Sequence, residues 1–321
     1  MGTVGIIANP LAGKDLRRLV THASPTSDAA KIGIVRRAVI GAVEGGATRV
    51  LMSPDNRNLC ERALEGLTFD ADVTVIDEPF FSTRGDTSAV AARLRDEGAR
   101  ALVVLGGDGT NRDVAKGWID APVVPISTGT NNVFPVQIEA TIAGHAAGLV
   151  ACGAVPLAIA ADRAKVLHVS FDDATPDDLA LVELALIDGG FTGARAVWEG
   201  ATVKAVVAAI AEPACVGLSS LAASAHALSR RDDGAVAIIT GAHGAKHRVP
   251  LAPGTYATVG ITSATLVDSF VLTGPGVLAF DGERDRVLGA GSTATIHVRR
   301  DGPWVIDVRR TMCRGVHTHG H

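Results

Sequence analysis

Apolar and polar residues alternate in two different rhythms along the first third of the chain. Short β-rich runs at Thr3–Ala8, Arg49–Met52, Asp72–Ile76, Ala101–Leu105 and Pro122–Ile126 predict strands, and the unbroken apolar run at Ala101–Leu105 predicts a strand covered on both faces. Between them, Asp28–Glu44 carries Ile32, Val35, Val39 and Val43 at near-helical spacing. Thr87–Gly98 places Val90 and Leu94 on one face, and Asn111–Trp118 follows as a further helix. Strand and helix in alternation predict an α/β fold, here a doubly wound parallel sheet over residues 1–137.

The rhythm changes after Leu149. Runs at Val155–Ala160, Leu179–Ile187, Ala235–Thr240, Tyr256–Thr262, Phe270–Thr273, Val277–Phe280 and Thr293–Val298 predict strands separated by Gly, Pro and Asp turns. Only Thr202–Ala211 and Leu218–Leu228 read as helices. A mostly antiparallel β domain over 138–298 is the expectation, with 299–321 as a C-terminal segment that ends in a polar tail. No Pro/Ser-rich linker separates the two parts, so they are expected to pack closely around a cleft.

Composition narrows the function classes. A length of 321 residues fits two domains at about 150 residues each. A net charge of −4 argues against a protein that neutralises nucleic-acid phosphates. The cysteines at 60, 152, 215 and 313 form no C-x-x-C pair, which predicts reduced thiols and a cytoplasmic protein. The stretch Ile142–Ala161 is interrupted by His145, Gly153 and Pro156, and reads as a buried helix and strand rather than a membrane span.

Candidate chemistry sits in three glycine-rich corners at strand ends. Gly106-Gly107-Asp108-Gly109-Thr110-Asn111 follows one apolar strand and opens a helix. Helix N-termini at such positions offer free N–H groups to anions, and glycines let phosphate approach the backbone. Asp108 would repel a phosphate unless it holds Mg²⁺ or takes a proton from an attacking hydroxyl. A helix-capping turn is the alternative for the same residue. Ser127-Thr128-Gly129-Thr130-Asn131-Asn132 repeats the arrangement after the next strand, where a plain strand-to-helix turn is again the alternative. Asn9-Pro10-Leu11-Ala12-Gly13-Lys14 is the third corner, but it fails the P-loop template at Ala8 and Asp15.

Taken in order, Asn9-Pro10…Gly13-Lys14, Gly106–Thr110, Gly129-Thr130-x-Asn132 and Asp281-Gly282-Glu283 resemble the superfamily joining NAD kinases, diacylglycerol kinases and sphingosine kinases. The resemblance is greatest to the ATP–NAD kinase group that contains the acetoin-catabolism X protein. It implies an NAD kinase-like α/β domain, a C-terminal β domain, and a final segment that returns to the first domain. It also implies transfer of a phosphoryl group from ATP, with Mg²⁺, to a hydroxyl of NAD or another small molecule, in a homo-oligomeric protein.

By that resemblance, Asn9, Gly13, Lys14, Gly106, Gly107, Gly109, Thr110, Asn111, Thr128, Gly129, Thr130 and Asn132 would bind the nucleotide. Asp108 would be the base or a Mg²⁺ ligand, with Glu283 a second catalytic candidate and Asp281 a second metal candidate. A hairpin turn is the alternative for Asp281–Glu283, and the Asp-Gly pair favours it over a catalytic Glu283. The Asn-Glu pair by which NAD kinases hold adenosine is missing from Ala185–Gly190, where Asp188 is the nearest substitute for acceptor binding. Val133 stands where lipid kinases carry an Asp. A lipid kinase and a non-catalytic nucleotide-binding regulator are the alternatives to a small-molecule kinase.

Overall fold

The computed structural model describes residues 2–10, 26–79, 81, 83–129, 131–188 and 202–315. The first part contains strands β1 (Thr3–Ala8), β2 (Arg49–Met52), β3 (Asp72–Val75), β4 (Ala101–Gly106) and β5 (Pro122–Ser127). It also contains helices α1 (Asp28–Glu44), α2 (Leu59–Leu64), α3 (Arg84–Asp96), α4 (Asp108–Gly117), α5 (Ala140–Ala151) and α6 (Leu157–Ala160). The second part contributes β6 (Ala161–Arg163), β7 (Val166–Phe171), β8 (Asp178–Ala180), β9 (Glu183–Ile187), β10 (Val203–Ala208) and helix α7 (Leu218–Ala225). It continues with β11 (Ala235–Ala252), β12 (Thr255–Val267), β13 (Ser269–Thr273), β14 (Gly276–Phe280), β15 (Glu283–Leu288), β16 (Thr293–Arg299), β17 (Trp304–Ile306) and helix α8 (Val308–Gly315).

The first sheet runs β3-β2-β1-β4-β5-β17-β6. Strands β1 to β5 are parallel, and β4 and β5 are apolar and buried on both faces, as strands covered by helices must be. Strand β17 comes from the far end of the chain and pairs parallel to β5 at Trp304–Pro122 and Val305–Val123. Helices α1 and α5 cover one face so closely that glycine backbones touch the neighbouring helix. A Cβ on Gly41 would collide with the Thr141 carbonyl, and one on Gly144 with the Ala38 carbonyl. No helix among the described residues is long and apolar enough to cross a membrane.

The second part is a sandwich. A six-stranded antiparallel sheet, β12-β11-β10-β9-β14-β15, faces a four-stranded one, β13-β16-β7-β8, and Leu184, Val207, Leu278, Phe280 and Ile296 fill the space between them. Helix α7 closes the opposite face of the larger sheet.

Three local expectations are corrected. Thr202–Ala211, expected as a helix, is strand β10, paired on both sides by β9 and β11. A central strand buried on both faces has no period-2 pattern, and the β-branched Val203, Val206 and Val207 are what decide it. Val155–Ala160, expected as a strand, is the short helix α6, begun by Pro156 at its N-cap. Leu179–Ile187 is two strands in different sheets, β8 and β9, broken at Leu181 and Val182.

Candidate functional site

Parallel strands β1, β4 and β5 end at one edge of the sheet, so the three corners are neighbours. Gly107 is the N-cap of α4, and Asp108 is its first helical residue. The glycines here are required for space. Neither Gly106, Gly107 nor Gly109 has a positive φ, but a Cβ on Gly106 would lie 2.5 Å from the Thr110 Cβ, and one on Gly107 2.9 Å from the Asn132 Oδ1. A Cβ on Gly109 would lie 3.1 Å from Glu283 Oε1. Each glycine therefore admits another candidate side chain against the turn.

Hydrogen bonds join the corners. Asn9 Nδ2 donates to Thr110 Oγ1 at 2.9 Å, linking the first corner to the second. Asn111 Nδ2 donates to the Gly107 carbonyl at 2.8 Å, and Asn132 Nδ2 to Ser127 Oγ at 2.8 Å. Thr26, just before α1, donates to the Thr128 carbonyl at 2.7 Å, and Ser127 Oγ donates to the Gly129 carbonyl. Fully buried Lys31 donates to the Pro10 carbonyl at 2.5 Å. Gly13, Lys14 and Thr130 lie outside the described residues.

Asp108 is gripped by the loop after β5. Its carboxylate accepts from the Phe134 N–H at 2.8 Å and from the Val133 N–H at 3.0 and 3.1 Å. The same two peptides are held from behind, where the Arg230 guanidinium donates to the Val133 carbonyl at 2.7 Å and the Phe134 carbonyl at 3.2 Å.

Asp281 and Glu283 have different surroundings. Asp281 adopts a left-handed backbone, φ 48°, and its buried carboxylate accepts from the amides of Leu181, Val182 and Glu183. Burial pushes its pKa up to about 6, against the pull of Arg112 and those amides. This carboxylate clamps the break between β8 and β9. Glu283 opens β15 and lies against Gly109. Asp188 is exposed, at the end of β9, with Lys204 Nζ 3.1 Å from its carboxylate.

Sequence reasoning overlooked Arg112. This residue, 2% exposed, lies one helical turn after Asp108. Its guanidinium donates to Asp178 Oδ2 and to the Leu179 carbonyl, both at 2.7 Å, and sits 4.5 Å from the centroid of the Phe280 ring. Lys116 adds a second cation 2.8 Å from Asp178. Burial by itself would raise Asp178, but Arg112 and Lys116 outweigh it and hold the carboxyl below its ordinary range. Arg112 thus ties α4 of the first domain to β8 and β14 of the second, directly behind the Asp108 turn. The spacing of Asp108, Arg112 and Lys116 at i, i+4 and i+8 marks one polar stripe on α4 and was the available signal.

No group of three or more His, Cys, Asp or Glu among the described residues could hold a metal ion by itself. Mg²⁺ does not require one, since it keeps its waters and binds one or two carboxylates together with substrate phosphates. Glu283 and Asp108, the latter with lone pairs beyond those its two amides use, supply such carboxylates beside Gly109. Asp281, 6% exposed and turned toward three backbone amides, is buried away from them.

The chain matches the ATP-NAD kinase N-terminal domain over residues 4–154 and the acetoin catabolism protein X C-terminal domain over 165–301. It is 35% identical over 327 residues to the acetoin catabolism protein X of Cupriavidus necator, an alignment covering 96% of this chain and 91% of that protein. Among solved structures, it resembles the yeast NADH kinase complexed with NADH (TM-score 0.50, 14% identity, covering 99% of this chain and 86% of that one). It also resembles a candidate diacylglycerol kinase from Bacillus anthracis (TM-score 0.52, 11% identity, covering 95% and 97%). At these identities the two structures share a fold with this chain.

Proposed function

This chain belongs to the acetoin catabolism protein X family, and we propose that it is an ATP-dependent kinase that phosphorylates a hydroxyl of NAD or another small molecule. The observation that carries this reading is the approach of Glu283 to Gly109, next to Asp108 at the N-terminus of α4 on the parallel sheet edge.

In this reading the amides of residues 106–110 cradle the nucleotide phosphates. Asn9, Thr110, Asn111, Thr128, Gly129 and Asn132 shape the surrounding pocket, together with Gly13, Lys14 and Thr130. Phosphoryl transfer depends on positioning and charge neutralisation more than on covalent chemistry by the protein. The bonds from Val133 and Phe134 fix the Asp108 carboxylate. From there it orients the acceptor hydroxyl and takes its proton as the new O–P bond forms and the bond to the ADP oxygen breaks. Glu283, on the other side of Gly109, is the second carboxylate. Asp108 and Glu283 would hold Mg²⁺, whose chemistry there would be neutralisation of phosphate charge. Asp188 is proposed to contact the acceptor from the end of β9. A homo-oligomeric, cytoplasmic enzyme completes the proposal, and light scattering checks the first of these.

The test is ADP release by the purified chain with ATP, Mg²⁺ and NAD, extended to a panel of hydroxylated metabolites. Phosphorylated product that disappears in Asp108→Asn supports the reading, and undiminished turnover in that variant refutes the role of Asp108. A second reading, a nucleotide-binding regulator, has one observation of its own. The Asp108 carboxylate already serves as a clamp for the Val133–Phe134 peptides. Calorimetric ATP binding with no product from any acceptor would favour it.

A further inference from the structure

The neighbour of β5 changes along its length, and a cavity opens where it does. Strand β17 accompanies β5 at Pro122 and Val123, whereas Val136 accompanies it beyond Pro125, with a bridge to Ile126. The gap between these two partners is a cavity of about 360 Å³. That size is within the range of small-ligand sites. Val124, Phe134, Val136, Ile210, Val305 and Val308 give it apolar walls. None of Gly106, Gly107, Asp108, Gly109 and Glu283 lines it; Phe134 and Arg230, which hold the Asp108 carboxylate from behind, are the wall it shares with the corner described above.

Its charged lining is unbalanced. Five cations, Arg163, Lys165, Arg230, Arg231 and Arg309, accompany two carboxylates, Asp162 and Asp307. Both carboxylates are already committed. Arg231 lies 3.3 Å from Asp162 and 3.4 Å from Asp307, and Arg310 lies 3.1 Å from Asp162. Among the described residues the other four cations make hydrogen bonds only to neutral groups, while Asp232 and Asp233 act on Lys165, and Asp108 and Glu212 on Arg230, from a distance. Arg230 donates to the carbonyls of Val133 and Phe134, and Lys165 to those of Ser229 at 3.3 Å and Gly234 at 3.0 Å. Arg163 donates to the Asp301 carbonyl, and its buried Nε has no hydrogen-bond partner. Exposed Arg309 has no ion pair among the described residues. Partly buried cations that outnumber the carboxylates lining the same cavity are costly, and an anion entering it would relieve that cost. Lys165, 4% exposed, registers the balance: burial, with Arg300 nearby, pushes its pKa down to about 8 against the opposing pull of Asp232 and Asp233.

We propose that this cavity is a second binding site, for a small amphiphilic acid whose anionic head meets Arg163, Lys165, Arg230 and Arg309 and whose apolar chain lies among Val124, Val136, Ile210 and Val305. Calorimetric titration of the full chain tests it, with octanoate, octyl phosphate, octanol and inorganic phosphate as probes. Octanoate or octyl phosphate is expected to bind one-to-one, and whichever is tighter identifies the head. Octanol and inorganic phosphate are expected to bind at least about tenfold more weakly, since each lacks one half of the recognition. Saturation with ATP is expected to leave octanoate affinity unchanged. Arg309→Ala, at an exposed position, should keep the melting temperature and weaken octanoate about tenfold. Val136→Trp, which fills the cavity from its open side, should abolish binding. The proposal is overturned if neither acid binds, if octanol binds as well as octanoate, if ATP displaces octanoate, or if both variants bind like the parent. Because no turnover is measured, an inactive kinase would leave this test intact.

Discussion

Glu283 lies over Gly109 so closely that a Cβ at position 109 would stand 3.1 Å from its Oε1. The two residues are far apart in sequence, on β15 and α4, and come from different domains. Gly109 is inside the first turn of a helix, where alanine is favoured over glycine by up to about 1 kcal/mol.

Gly109→Ala should therefore separate stability from chemistry. Its melting temperature is expected to match or slightly exceed that of the parent, while Glu283 is pushed aside by a few tenths of an ångström. A fall of about tenfold in kcat is expected, because small misplacements at a reacting centre are expensive. Parallel thermal melts and turnover assays decide it. An unchanged kcat would remove Glu283 from the catalytic set.

Arg112 and Asp178 form a buried pair, both nearly inaccessible to solvent, with the charged groups 2.7 Å apart. Arg112→Met leaves Asp178 with Lys116 alone, and a loss on the order of 3 kcal/mol in urea unfolding is expected. Adding Asp178→Asn should recover part of it, because the second change removes the stranded charge. If the two losses instead simply add, the pair is not coupled as described.

Asp281 makes a pH prediction. Its carboxyl is raised from an ordinary value of 3.8 to about 6 in the folded chain, so the fold holds this proton more tightly than the unfolded chain does. Stability from this group is greatest at low pH and is lost as pH rises from about 4 to about 6, with no further change above. Asp281→Asn cannot titrate. The difference in unfolding free energy, variant minus parent, should therefore move in the variant's favour by about 2 kcal/mol between pH 4 and pH 7. Denaturant titrations at several pH values measure it, and a difference that is flat with pH would contradict the assignment.

The crossing of α1 and α5 makes a steric prediction. Alanine at Gly41 or Gly144 raises helix propensity but drives a methyl into the carbonyl of Thr141 or Ala38. Each substitution is expected to destabilise the chain by about 1–3 kcal/mol, as overpacking does. Gly153→Ala is the control for a position with open space and a positive φ, where the cost comes from the backbone alone.

The parallel sheet was legible because its strands are continuous apolar runs that stop at glycine or asparagine corners, as β1, β4 and β5 do. The sandwich was legible as a class but not strand by strand. Strand β10 is apolar on both faces, and periodicity cannot distinguish such a strand from a buried helix. At the site, the motif residues could be picked out singly, but the bonds that orient them could not. Asp178 is 66 residues from Arg112, and the amides that Asp281 grips are 98 to 100 residues before it. Contacts at that separation are set by topology, which local pattern does not encode. Asp281, expected as a metal candidate, has its carboxylate hydrogen-bonded to the amides at the break between β8 and β9.

The insertion of β17 between β5 and β6 bears on how the chain is made. During synthesis the first five strands emerge early, yet the edge of β5 stays open until residues 304–306 arrive. The sheet of the first domain therefore stays incomplete until residues 304–306 are made, and β6, paired to β17, waits with it. Premature termination within the β sandwich would leave an apolar strand edge exposed on an otherwise assembled half, a natural handle for chaperones and proteases.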